Sequence, residues 1–184
     1  MILLVTSNQG KYQEISSELE KAGISVEWKR MEYDEMQGKD TYSISLRSCM
    51  DVGKKLEGDF FLEDTGLYCE ALNGFPGPYA KYVQETVGNA GLIRMLQGMN
   101  RKAKFVTVIS LRHGDRIVQF DGVLSGIISE SERGSNGFGF DPIYIPDGED
   151  RTLAEMSPYE KNHISHRGKA IRKLARYVEE NKLN

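Results

Sequence analysis

Hydrophobic spacing changes period repeatedly along the chain, and each change marks an element. Ile2-Leu3-Leu4-Val5 is an apolar run of strand length that gives way to the polar turn Thr6-Ser7-Asn8-Gln9-Gly10-Lys11. Ile15, Leu19 and Ala22 then recur at four and three residues, which predicts an amphipathic helix over about 11–21, closed by a left-handed Gly23. Ile24 to Trp28 returns as a strand. Strand, helix and strand in immediate succession argue for an α/β fold, with the first polar turn at the open end of the sheet.

Asp40 or Thr41 can cap a second helix through Ile44, Leu46 and Val52 toward Leu56, ending near Gly58. The apolar Phe60-Phe61-Leu62 predicts a buried strand, with Glu63-Asp64-Thr65-Gly66 expected as a sharp turn at its end. Asn73-Gly74-Phe75-Pro76-Gly77-Pro78 carries too many backbone constraints for a helix or central strand and reads as a shaped loop before a short helix over about 79–87. Leu92 to Met99 reads as helical. Phe105 to Leu111 and Ile117 to Ile128 are β-branched runs joined by the hairpin signal His113-Gly114-Asp115. A second glycine-rich loop, 134–142, precedes a strand at Ile143-Tyr144-Ile145 and a turn at 146–148. From Ser165 onward, Ile171, Leu174, Ala175 and Val178 line one face of a terminal helix.

The 184 residues suffice for one domain with a real core, in one lobe or two, but not for two ordinary independent domains. A formal net charge of -3 offers no basic surface for a nucleic-acid polymer, so a small anionic ligand fits better. Cys49 and Cys69 have no cysteine or histidine at metal-like spacing and read as two buried free thiols in a reducing compartment. Met1 to Val5 run into a strand without a basic leader, and no apolar run approaches the ~20 residues that span a bilayer, so a cytoplasmic protein without membrane partners is expected.

Two polar segments could carry chemistry. Thr6, Ser7, Asn8, Gln9, Gly10 and Lys11 offer hydroxyls, an amide, helix N-terminal N–H groups and one ammonium, enough donors for a triphosphate tail. They equally describe a capped helix with a solvated lysine, and they do not form a Walker A loop, because no glycine stands five positions before Gly10. In the second segment, strand alternation sends Glu63 and Asp64 to opposite faces, which makes Asp64 the better ligand for a hard cation such as Mg²⁺. A further carboxylate could come from Glu32-Tyr33-Asp34-Glu35, which also reads as a solvated loop. Phe138-Gly139-Phe140-Asp141 combines aromatic faces with glycines that admit a ligand to the backbone, as in a purine sandwich, or is a core aromatic pair beside an Asp-Pro turn. Lys161, His166 and Arg167 add donors near the last helix.

Together these segments resemble the inosine/xanthosine triphosphate pyrophosphatase, or Ham1-like, family. The resemblance is carried by 6–11, Glu63-Asp64-Thr65-Gly66-Leu67, Ala71 to Tyr79, Gly137 to Pro142, and Ala154-Glu155-Met156 through Lys161-Asn162 to Ser165-His166-Arg167, in family order. It implies an elongated mixed central β-sheet flanked by helices, with two lobes and the cleft between them, in a single domain over 1–184. It also implies a homodimer and hydrolysis of a nucleoside triphosphate to the monophosphate and pyrophosphate with Mg²⁺. By position, Thr6 to Lys11 would hold phosphates, Asp64 would bind the metal and act as the acidic catalytic residue beside Lys11, and Glu35 would be the other metal carboxylate. Thr65 would contact substrate, while Phe138, Gly139, Phe140, Asp141, Lys161, His166 and Arg167 would surround base and sugar. Where relatives often carry a substrate-binding lysine this chain has Leu46-Arg47-Ser48, so Arg47 substitutes or the contact is missing. Selection of ITP, dITP and XTP over ATP would come from donor-only groups at the purine six-position, either Phe138-loop amides or Arg167. A house-cleaning pyrophosphatase for other modified nucleotides, and a non-catalytic nucleotide sensor, are the competing readings.

Overall fold

The structure is a computed structural model that describes residues 2–32 and 38–183. Strand β1 (Ile2–Val5) runs parallel to β2 (Val26–Lys29), and helix α1 (Gln9–Lys21) connects them. Asn8 caps α1 by accepting from the Lys11 amide at 3.0 Å, while Ile15 and Leu19 face the core. Helix α2 (Thr41–Val52) begins with a reciprocal cap between Asp40 and Ser43 and stops at Val52, after which residues 53–56 continue as turns.

The acidic segment departs from expectation. Strand β3 (Phe60–Cys69) does not turn at Glu63–Gly66 but continues extended to Cys69, because it pairs residue by residue with strand β5 (Lys102–His113), from Phe60 opposite Arg112 to Cys69 opposite Ala103. Gly66 serves close approach: a Cβ there would lie 2.6 Å from Thr41 Oγ1 and 2.9 Å from the Gly77 carbonyl. Beyond a short strand β4 (Pro76–Gly77), helices α3 (Ala80–Thr86) and α4 (Gly88–Met95) follow each other directly, so the second starts a turn earlier than Leu92 suggests. β5 and β6 (Arg116–Ile128) form the expected long hairpin, and β7 (Tyr144–Pro146) pairs with β6. Helix α5 (Pro158–Ile164) precedes the terminal helix α6 (His166–Glu180) and went unforeseen, although Ser157 and Glu160 form a capping box with Pro158 in the first turn.

The sheet order is β2-β1-β3-β5-β6-β7, with β4 added to β3. Two hydrophobic regions lie at opposite ends of the long strands. At one end Ile109 and Leu111 of β5 and Phe61 of β3 meet α1 and α6, while Phe60 and Leu62 meet Cys49 and Val52 of α2 on the other face. At the other end Leu67, Phe105 and Leu124 pack with α3, α4 and Tyr144. Between them β3 has an open edge, since β1 reaches only to Phe61 and β4 begins only at Leu67. That gap joins the two faces of the sheet and is the cleft between the lobes. Cys49 and Cys69 are free and buried, and burial pushes both thiols up to about 11. Among the described residues no helix is long and apolar enough to cross a membrane.

Gly122 sets the seating of α6, because a Cβ there would lie 1.9 Å from the His166 carbonyl. Gly122→Ala is expected to lift the N-terminus of α6 and destabilise the protein by about 3 kcal/mol, the upper range for overpacking. Urea denaturation followed by circular dichroism measures this; an unchanged midpoint would contradict the close seating.

Candidate active site

The cleft has a volume of ≈ 1390 Å³ and receives residues from both lobes. Thr6, Ser7, Asn8 and Lys11 enter it from the end of β1 and the start of α1, and Asp64 and Thr65 from the open edge of β3. Phe138, Gly139, Phe140 and Asp141 come from the glycine-rich loop, Lys161 from α5, and His166 and Arg167 from α6. Gln9 and Gly10 lie in the first turn of α1 and do not line the cleft. Gly10 instead lets the loop dock, since a Cβ there would stand 2.9 Å from the Phe138 ring. Glu32 lines the cleft, while Glu35, expected as a metal ligand, lies outside the described residues. Arg47 is exposed on α2 and is not among the lining residues.

Strand alternation separates the two acids of β3. Asp64 continues the face of Phe60 and Leu62 toward α2, and Glu63 shares the opposite face with Thr65, beneath α1 and α6. Glu63 is 3% exposed and meets Lys11 Nζ at 2.9 Å and Arg167 Nη2 at 3.4 Å. It also accepts from the Thr65 hydroxyl and, at 3.2 Å, from Thr107 Oγ1. Burial pushes the Glu63 carboxyl up, but Arg167 and Lys11 outweigh it and hold the group well below the carboxylate range. The Lys11 ammonium also donates to the Glu63 carbonyl at 3.1 Å, an oxygen on the edge that β1 leaves uncovered.

A second acid, Glu14 on α1, completes the charge pattern. It pairs with Arg167 through one oxygen and with Lys161 Nζ at 2.6 Å through the other, and Lys161 reaches Asp141 Oδ2 at 2.6 Å. Lys11, Glu63, Arg167, Glu14, Lys161 and Asp141 therefore alternate in sign across the floor of the cleft. Desolvation of so many ions is tolerable only because each finds partners. The Phe138 ring lies above two of these cations, 4.8 Å from Lys161 Nζ and 5.4 Å from the Arg167 guanidinium carbon. Phe140 is instead 5% exposed and belongs to the distal core, so of the two loop phenylalanines Phe138, half-buried, is the more accessible. The loop holds its shape through Asp141, whose carboxylate accepts from the Phe138 amide at 2.7 Å, and through Gly137, where a Cβ would collide with that carboxylate at 2.1 Å. Burial raises the Asp141 carboxyl, with Lys161 only partly offsetting it.

Glu14 and Thr107 were missed in the sequence. Glu14 follows Lys11 by three residues and so shares its helix face, and Thr107 is a lone hydroxyl in the apolar run Phe105 to Ile109, opposite Thr65 in the ladder. Both signals are common on ordinary helices and strands and become specific only through their partners.

Among the described residues no three His, Cys, Asp or Glu side chains cluster as a closed metal cage. Asp64 is a buried carboxylate at the cleft wall, while Glu63 is committed to two cations. One protein carboxylate or two, with substrate phosphate and water, is the donor set suited to Mg²⁺.

A model of the Ham1 family matches residues 2–177. The chain belongs to the Ham1 family. Ham1 relatives named dITP/XTP pyrophosphatase include one from Thermococcus kodakarensis, 44% identical over 181 residues and covering 98% of both chains. Another, from Methanopyrus kandleri, is 43% identical over 98% of this chain and 97% of its own. Among solved structures, a HAM1 protein from Coxiella burnetii aligns with a TM-score of 0.83 at 26% identity over 98% of this chain and 100% of that one. The Staphylococcus aureus Ham1 protein aligns at 0.79 and 29% identity, over 97% and 99%. The central sheet flanked by helices is thus the Ham1 architecture.

Glu14 gives a pH signature. Burial raises its pKa, but Arg167 and Lys161 overcome this and hold it below its ordinary 4.5, so its stabilising effect is complete above that pH and fades as pH falls toward the folded value. Glu14→Gln should cost about 3 kcal/mol at neutral pH, the lower range for orphaning buried partners. In urea titrations the gap from wild type should narrow below pH 4.5; a pH-independent gap would show that the carboxylate charge is not what matters.

Proposed function

We propose that this chain hydrolyses ITP, dITP and XTP to the monophosphate and pyrophosphate, clearing deaminated purines from the nucleotide pool. The observation that carries the reading is the full-length similarity to dITP/XTP pyrophosphatases, at 44% identity. The cleft suits that chemistry, with donors for a polyphosphate and an aromatic face backed by cations. The working unit is a single domain over the whole chain, acting as a cytoplasmic homodimer.

In the proposed reaction water attacks the α-phosphorus and pyrophosphate departs. Thr6, Ser7 and Asn8, at the end of β1 and the start of α1, hold the tail, and Lys11 neutralises its charge. Lys11 is preorganised for this, because Glu63 holds it at the cleft edge. Asp64 orients the attacking water and takes its proton. Mg²⁺, held by Asp64 and Glu35, would supply electrophilic stabilisation of the phosphoryl oxygens. Phe138 stacks on the base, flanked by Gly139, Phe140 and Asp141, while Thr65 and Lys161 flank the nucleoside.

Donor-only groups reject adenine in this scheme. The Phe138 amide is already given to Asp141, and the Arg167 guanidinium, which lines the cleft, is taken as the donor for the six-keto oxygen. An adenine amino group would place donor against donor, a mismatch of about 1–3 kcal/mol or more beside a charged donor.

Two measurements follow. Asp64→Asn should lower turnover by about 10³-fold or more with an unchanged circular dichroism spectrum, and near-normal turnover in the purified variant would remove Asp64 from the mechanism. Pyrophosphate release compared across ITP, XTP, dITP and ATP should favour the deaminated purines strongly; equal rates with ATP would refute the account of selection.

A further inference from the structure

The Arg167 contact accounts for the keto oxygen of a deaminated purine but leaves its other altered atom unread. Deamination at the six-position also turns ring N1 from an acceptor, as in adenine, into an N–H donor. A site that tests both atoms needs an acceptor beside the guanidinium. The carboxylates near Arg167 are engaged with cations, but His166 lines the same cleft.

His166 sits at the first position of α6, is 3% exposed, and has one face against the Phe105 ring at a centroid distance of 4.6 Å. Its Nδ1 lies 2.6 Å from Thr107 Oγ1. Thr107 lies in turn 2.6 Å from Thr65 Oγ1 and 3.2 Å from Glu63 Oε1, and Thr65 reaches the same carboxylate oxygen. Each hydroxyl has one proton, and an ionised carboxylate can only accept. The favourable arrangement aims both protons toward Glu63: Thr65 donates to the carboxylate, and Thr107 donates to the carboxylate or to Thr65. Thr107 then offers only a lone pair to the imidazole, so Nδ1 must carry the hydrogen. A Thr107 proton given to a bare Nδ1 would either turn both hydroxyl protons away from the charge or, with Thr65 donating to the carboxylate, leave the 2.6 Å Thr65–Thr107 contact with no hydrogen in it. Thr65 also accepts from Arg167 Nη2 at 3.5 Å, which favours its proton pointing elsewhere. The imidazolium form is opposed by burial first, then by the neighbouring Arg167, which together keep the ring neutral.

We propose that Thr107 is a positioning residue that locks His166 as the Nδ1–H tautomer, so that Nε2 presents a lone pair to the N1–H of a 6-oxopurine. This deepens the pyrophosphatase reading and rests on it for the ligand. With Arg167 donating to the keto oxygen and His166 accepting from N1–H, the pair forms a two-point test that adenine fails twice. Its amino group meets the donor, and its N1 lone pair meets the Nε2 lone pair. The locking path starts at Glu63, the same carboxylate that holds Lys11, so one buried charge orders both the lysine and the imidazole.

The test uses the whole protein labelled with ¹⁵N-histidine, of which the chain has three, with His166→Gln for assignment. In wild type, His166 should show the neutral Nδ1–H pattern in long-range ¹H–¹⁵N spectra; an Nε2–H tautomer or an imidazolium at neutral pH overturns the proposal. Thr107→Val removes the hydroxyl at similar volume and should release the tautomer while lowering kcat/KM for ITP about tenfold, the equivalent of one hydrogen bond. Its ATP rate should fall much less, so the ITP:ATP ratio shrinks, and Thr107→Ser should restore both tautomer and ratio. Equal losses on ITP and ATP would mark Thr107 as merely structural and overturn the proposal. Absence of pyrophosphate release from ITP, XTP and dITP by wild type would overturn the functional reading and the purine contact with it, whereas the tautomer is read by the spectra independently.

Discussion

The site depends on a single buried carboxylate. Glu63 lies in the middle of a central strand, nearly sealed from water, where an ionised group is tolerated only if its charge is matched. Lys11 from α1 and Arg167 from α6 supply that match, and two threonine hydroxyls converge on the Oε1 oxygen that Arg167 also approaches. Three elements far apart in sequence are thereby drawn to one point. The cations so fixed face a cleft where an anionic ligand can compete for them, which makes the same ions both structural and available for binding.

A backbone discontinuity gives this charge cluster its setting. Because β1 stops opposite Phe61 and β4 starts opposite Leu67, a short stretch of β3 has a partner strand on one side only. At this opening the Asp64 face and the Glu63–Thr65 face line one cavity, so an acid suited to a metal and cations suited to a base can act on one ligand despite strand alternation. The two hydrophobic regions at the ends of the long strands hold the opening apart like the jaws of a frame.

Legibility in the sequence followed the range of the interaction. The α1 helix, the long β5–β6 hairpin and the glycine-rich loop at 134–142 follow from periodicity and glycine placement, which act over a few residues. The acidic segment was misread as a turn because Gly66 after polar residues is a local turn signal. In the fold, a complete ladder to β5 and the crowding of Thr41 and Gly77 around that glycine decide otherwise. The short α5 was overlooked although its capping box stood in the sequence, since its apolar content is too small to register as a period.

Taken alone, the sequence determined the α/β class, the candidate phosphate turn and the family resemblance, because strand and helix periods and ordered motifs are properties of neighbouring residues. Only the tertiary structure decided that Glu63 faces Arg167 while Asp64 faces away, that Phe138 lies over Lys161 and Arg167 while Phe140 packs into the distal core, and that Glu14 and Thr107 join the network behind the cleft. Those outcomes depend on which charges and hydroxyls meet across up to 153 residues of chain, in a setting where burial makes each pairing obligatory. No local pattern encodes such a meeting; the packing of α1 and α6 against the gap beside β3 does.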